Sequence, residues 1–295
     1  MHEHHHEHNH KKIGWTILLN IFITLAEYIG GIFSGSLALI SDAGHNFSDV
    51  LSLALGYFGE KYSHKAPNKK YSFGFKRIEI FTALINALIL WAVGAYIIIE
   101  ALNRINSAEH IALGIMLIAA IVGLAGNLIS IIILNKDKES SLNMKAAYMH
   151  LFYDTVSSVA VIISAIIIYF TGFLILDTIV SIFIALMIFW SGYEIVRKTV
   201  HIFMQGVPEN INIEEVHSKI GKMKGICTIH DLHIWNLDSN EIFLSCHICS
   251  NKKIKNDVLI RDIRNMLKSE YDITHTAIQT ESEEFCNVNY GCYIK

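Results

Sequence analysis

The chain has 295 residues, 52% hydrophobic and only 17% charged, with a mean hydropathy of +0.39 and a formal net charge of −3. That balance excludes an ordinary soluble domain and points to membrane spans before any motif is read. Nothing in the charge invites a nucleic acid, and no nucleic-acid partner is expected.

The chain opens on MHEHHHEHNHKK, twelve polar residues without the pattern of a cleavable signal peptide. Residues 1–12 are read as a disordered, dispensable His-rich tail in the cytosol. Six apolar segments follow, near 13–33, 37–62, 77–104, 111–135, 146–170 and 173–200. Each reaches the roughly 20 residues that cross a bilayer core. Ser34-Gly35-Ser36 and Thr171-Gly172 leave room only for tight turns. Lys11, Lys12, Lys61, Lys65, Lys69, Lys70, Lys76, Arg77, Lys136, Lys138, Lys145, Arg197 and Lys198 all fall on one side of these spans, against Arg104 on the other. The side rich in Lys and Arg is the inner one, so both termini are expected in the cytoplasm of an integral, multi-pass protein.

Composition changes near Val207. "NIEEVHSKIGKMKG" reads as an amphipathic helix stopped by Gly225, and "KNDVLIRDIRNMLKSEY" as a second helix. "ICTIHDLHIWNL", "EIFLSCHIC" and "ITHTAIQTE" read as strands. The order αββαβ suggests a small open-faced α+β domain over 207–295, after a transmembrane domain over 13–206. All five cysteines, Cys227, Cys246, Cys249, Cys286 and Cys292, lie in this last domain, and in a reducing cytosol they are expected as thiols.

The second span carries ionisable residues in "LISDAGHNFSDVLSLAL". His45 and Asp49 are four apart, so they share a helix face, and Asp42 sits about one turn earlier. An Asp at mid-bilayer costs on the order of 2.5–3.5 kcal/mol, which makes it a functional candidate by default. The fifth span repeats the spacing in His150 and Asp154. Each pair lies about ten residues into its span, about 15 Å at the helical rise, so the pairs can meet near the midplane. Two imidazole nitrogens and two carboxylate oxygens form a donor set suited to tetrahedral Zn2+. A zinc metalloprotease would need His-Glu-x-x-His on one helix, which is absent, and no enzyme activity is expected. Asn20, Glu27, Glu79, Asn86, Asn127 and Asp177 are read as inter-helical hydrogen-bonding groups, and Gly30, Gly31, Gly123 and Gly126 as close helix contacts. Asp42 is left open between a support for His45, a path residue and a packing role.

"GSLALISDAGHNFSDV", "YSFGFKRIE", His150-x-x-x-Asp154, "LDTIVSIFIALMI" and "HDLHIWNL" together resemble the cation diffusion facilitator family of zinc/proton antiporters, over almost the whole chain. The resemblance implies a homodimer with six spans per protomer and a cytosolic metallochaperone-like domain. It implies a transport site on His45, Asp49, His150 and Asp154, with Zn2+ as cargo and protons as counter-ion across a bilayer; a bacterial cytoplasmic membrane is the expected location. It also implies a cytosolic metal site on His230, His247, His275 and Glu281, with Cys286 and Cys292 as candidates for a second. His230 and His233 differ in strand parity, so they should face opposite ways, with His230 the ligand. The His-rich tail would capture zinc loosely. The alternatives are the same transporter class with Cd2+, Co2+, Fe2+ or Mn2+ as cargo, and a membrane-anchored metal sensor.

Overall fold

A computed structural model describes residues 3–105, 111–135, 142–251 and 254–282, the side chains of 3–17, 53, 60, 142–147 and 150 excepted. Cys286 and Cys292 therefore lie outside the described residues, as does the side chain of His150. Six long helices come first: α1 (Glu3–Ser34), α2 (Leu37–Ser63), α3 (Ile78–Arg104), α4 (Leu113–Asn135), α5 (Leu142–Thr171) and α6 (Ile175–Phe203). Then follow α7 (Ile213–Gly221), β1 (Ile226–Asn236), β2 (Ile242–Ser250), α8 (Asn256–Tyr271) and β3 (His275–Ser282). Backbone contacts divide the chain into one unit of residues 1–57 and 83–196 and a second of 58–82 and 197–295.

In the first unit, α3, α4, α6 and the described part of α5 from Leu151 are long and apolar enough to cross a membrane. Of α1, the part with described side chains, Leu18–Ser34, is apolar and 17 residues long, and α2, which carries Asp42, His45, Asn46 and Asp49, is not among the candidates. The polar residues that make α2 interesting are what lower its hydropathy. The tail was expected to be disordered, yet α1 begins at Glu3; no proline or glycine precedes Gly14, so helix propagation meets no breaker. Trp190 and Phe170 are each 79% exposed, which a membrane protein tolerates because a bilayer solvates apolar side chains.

Between helices the packing is close. A Cβ on Gly30 would stand 2.3 Å from that of Ala119, and one on Gly123 only 1.9 Å from Glu27 Oε1, so α1 and α4 meet backbone to backbone there. Polar side chains tie the helices: Asn46 Nδ2 donates to Glu27 Oε2 (2.7 Å), Asn86 to Ser52, and Asn127 Nδ2 to Ser158 Oγ (3.4 Å). Asp177, at the start of α6, accepts from Ser36 Oγ (2.6 Å), Leu37 N (2.7 Å) and Ala38 N (3.3 Å). It thus caps the start of α2 from another helix, where unpaired N–H groups and the helix dipole favour a carboxylate.

The second unit holds a three-stranded sheet in the order β1-β2-β3, with β1 antiparallel and β3 parallel to β2. Asn212 starts α7, its side chain accepting from Glu214 N and Glu215 N. Val216 and Ile220 of α7 and Leu259, Ile263 and Leu267 of α8 pack with Ile229, Leu232, Leu244 and Ile248 in one core. Truncating any of these to alanine would cost about 2–5 kcal/mol. Both helices serve the same core, so the opposite sheet face carries polar residues. Glu79, at the start of α3, accepts from Ser239 Oγ (2.7 Å) in the β1–β2 turn.

The strand-parity expectation fails at a bulge. His230 pairs with His247 but His233 with Ser245, three residues on β1 against two on β2. Asp231 absorbs the extra residue with φ of 51°, a left-handed conformation that Asp tolerates better than most residues. His233 therefore shares the face of His230, while Leu232 and Ile234 both turn to the core.

Candidate metal centres

Helices α2 and α5 bring three of the four expected intramembrane donors together. One donor atom from each of His45, Asp49 and Asp154 lies within 4.8 Å of the others. His45 Nε2 stands 3.6 Å from Asp154 Oδ1. Donors bound at about 2.0 Å around one tetrahedral zinc are roughly 3.3 Å apart, so this separation suits a shared ion. Asp154 is buried, 1% exposed. His150 lies four residues before Asp154 on α5, its side chain outside the described atoms.

Around this cluster is a serine-supported carboxylate. Asp42 Oδ1 accepts from Ser157 Oγ (2.6 Å) and Oδ2 from Ser158 Oγ (3.2 Å). The Ser157 hydroxyl also lies 2.9 Å from the Asp154 carbonyl oxygen, so Asp42 joins α2 to α5 within one turn of Asp154. Of the roles left open for Asp42, these bonds describe a support. Such an outer group fixes where the ligand-bearing turn sits.

The second cluster lies on the open face of the sheet. His230 Nε2 is 3.4 Å from Glu281 Oε2, and His247 Nδ1 is 2.9 Å from Glu281 Oε1. The Cys249 sulfur also lies within 4.8 Å of donors from His230 and Glu281, but it is disulfide-bonded and supplies no thiolate. Asp231 approaches His233 Nε2 (3.1 Å) and His247 Nε2 (3.8 Å). Nitrogen and carboxylate donors at these distances fit a divalent cation of the zinc type, with His247 orienting Glu281.

His275 is not brought to this cluster. It shares the face of Glu281 but pairs with Phe243, whereas Glu281 pairs with Cys249, six residues further along β2. At the rise of a strand that is about 20 Å. His275 instead stacks on the Phe243 ring at 4.1 Å between centroids. The thiol expectation also divides: Cys227 and Cys246 are thiols, whereas Cys249 is disulfide-bonded. Burial pushes the Cys246 thiol up to about 12, which keeps it protonated and inert. Asp231 escaped the sequence reading, because the bulge hid it.

The helices and the buried His–Asp cluster define a membrane protein with a set of potential metal donors between its helices, followed by an α+β domain that carries a second such set. Residues 15–204 match the cation efflux transmembrane domain, and 208–283 the cation efflux protein cytoplasmic domain. The chain belongs to the cation efflux, or cation diffusion facilitator, family. Among curated relatives, the metal cation efflux system protein CzcD of Cupriavidus metallidurans is 35% identical over 282 residues, covering 94% of this chain and 89% of its own. The cadmium, cobalt and zinc/H(+)-K(+) antiporter of Bacillus subtilis is 37% identical, covering 94% and 92%. Zinc transporter ZitB of Escherichia coli is 29% identical, covering 90% and 87%. A solved structure, the metal-bound C-terminal domain of the Cupriavidus CzcD transporter, is 32% identical over 24% of this chain and 99% of its own, with a TM-score of 0.23.

Proposed function

We propose that this protein is a proton-coupled antiporter that exports Zn2+ from the cytosol by alternating access. It acts as a homodimer with six spans per protomer and both termini cytoplasmic, in a bacterial cytoplasmic membrane. The observation that carries this reading is the convergence of His45, Asp49 and Asp154 from two helices. His150, one turn before Asp154, completes a two-His, two-Asp cage in this proposal.

These donors bind metal only when deprotonated, and an imidazole with two or more carboxylates holds either protons or a divalent cation. Protons arriving from outside displace zinc outward, and zinc arriving from the cytosol displaces protons inward. Competition for one site is the coupling. Asp42, held by Ser157 and Ser158, keeps the Asp154 turn in register with α2. The cluster of His230, His247 and Glu281 binds regulatory zinc in the cytosol, and the relatives' names support cadmium and cobalt as competing cargo. Purified protein in liposomes should take up zinc when a pH gradient is imposed and stop when the gradient is collapsed. Uptake that ignores the gradient would refute proton coupling; no zinc flux at all would refute export.

A further inference from the structure

The segment joining α2 to α3 carries a basic run that metal transport does not use. From Lys61 to Arg77 there are six lysines and arginines and no acidic residue. Lys76 is engaged: its Nζ bonds Glu241 and lies 3.8 Å from Asp238 Oδ2. The Glu241 hydrogen bond raises the Lys76 pKa, so this cation is permanent. Arg77 differs. Its Nε is buried with no hydrogen-bond partner among the described residues. A buried guanidinium N–H calls for an acceptor, and a charged one for preference.

Lys76 and Arg77 line a cavity of about 580 Å3, walled by Tyr71, Phe73, Phe81 and Trp235. All of these residues belong to the second unit. Phe81 is in the first turn of α3, and Phe203, also at the cavity, is the last residue of α6. Both helices are candidate membrane spans. The cavity therefore opens where spans end, at the depth where acyl chains give way to headgroups and where aromatic rings gather. Its volume falls in the usual range for a small-molecule site, about 300–1,000 Å3.

We propose that this cavity binds the headgroup of an acidic phospholipid, with Arg77 on the phosphate and the aromatic walls against the glycerol and first methylenes. A guanidinium suits a phosphate through its planar fork of donors. An aromatic wall would also suit the choline of a neutral lipid. The cavity lining, however, includes two cations and no carboxylate, which favours the anion. A divalent cation is disfavoured for the same reason.

The test uses the full-length protein, stripped of lipid in detergent, with native mass spectrometry as readout. Dioctanoyl phosphatidylglycerol should bind at least fivefold more tightly than dioctanoyl phosphatidylcholine. Arg77→Gln should weaken phosphatidylglycerol binding about fivefold, the worth of one basic side chain at an anionic surface. Lys69→Gln, in the same basic run but outside the cavity, should change it less than about twofold. If Arg77→Gln does not fold, Arg77→Lys keeps the charge, loses the fork, and should still weaken binding measurably. Trp235 emission, isolated by subtracting a Trp235→Phe variant, should shift with phosphatidylglycerol only. Equal binding of the two lipids, equal losses at Arg77 and Lys69, or a silent Trp235 would overturn the proposal. So would glycerol 3-phosphate binding as tightly as the lipid, which would assign the site to a soluble phosphate ester.

Discussion

Replacing Asp177 by alanine strips the start of α2 of a buried acceptor that serves three donors. Two of the bonds are short, Ser36 Oγ at 2.6 Å and Leu37 N at 2.7 Å; the third, Ala38 N at 3.3 Å, is weak. Asp177, Leu37 and Ala38 are 2%, 1% and 0% exposed, so water cannot take the acceptor's place. Two bonds to a charged group at about 1.5–3 kcal/mol each put the loss on the order of 3–6 kcal/mol. For a unit of this size, with about 2–4 °C per kcal/mol, the thermal midpoint should fall by about 10 °C. Asp177→Asn keeps an acceptor for Leu37 N and loses the charge, so it should fall by roughly half as much. Heating in detergent followed by size-exclusion chromatography reads both midpoints. Among the described residues the partners of Asp177 are Ser36, Leu37 and Ala38, none of them a metal-site residue, so zinc flux assayed well below the new midpoint should persist. An alanine variant within about 3 °C of wild type would refute the capping argument.

Asp154→Asn and Asp49→Asn should each lower zinc uptake into liposomes by at least about 100-fold, beyond the loss expected for an outer-shell group, with the assembly intact on size exclusion; near-normal uptake would remove that residue from the cage. His230→Ala and Glu281→Gln should reduce zinc bound per chain in equilibrium dialysis, whereas His275→Ala should not, since His275 lies at the far end of β3; equal losses from all three would mean His275 is a ligand after all. The raised pKa of Cys246 has a definite sign. The unfolded thiol ionises near pH 8.5 and the buried one resists, so its stabilising contribution is intact below about pH 8.5 and is lost as pH rises toward about 12. Cys246→Val should flatten that alkaline decline in thermal midpoint, and at pH 8 iodoacetamide should label exposed Cys227 well before Cys246. An unchanged slope would show that another group sets it.

The sequence alone determined the long helices, because a run of about 20 apolar residues has no other stable home, and it located the His–Asp pairs, because a four-residue spacing maps to one helix face whatever surrounds it. It likewise determined the αββαβ order, since amphipathic period and Gly or Asn stops are local signals. Which residues meet across elements was decided only in three dimensions. The extra residue at Asp231 turned His233 to the face of His230, and a left-handed backbone at a non-glycine residue leaves no mark in a hydrophobic pattern. His275 and Glu281 share a strand face, yet only the register with β2 showed that one sits beside Phe243 and the other beside Cys249. Asp177 read as one more inter-helical hydrogen-bonding residue until Ser36, 141 positions away in sequence, was found on its carboxylate. Periodicity reports the face a side chain takes on its own element; the partner on that face depends on register and packing, which arise from the summed contacts of the whole fold.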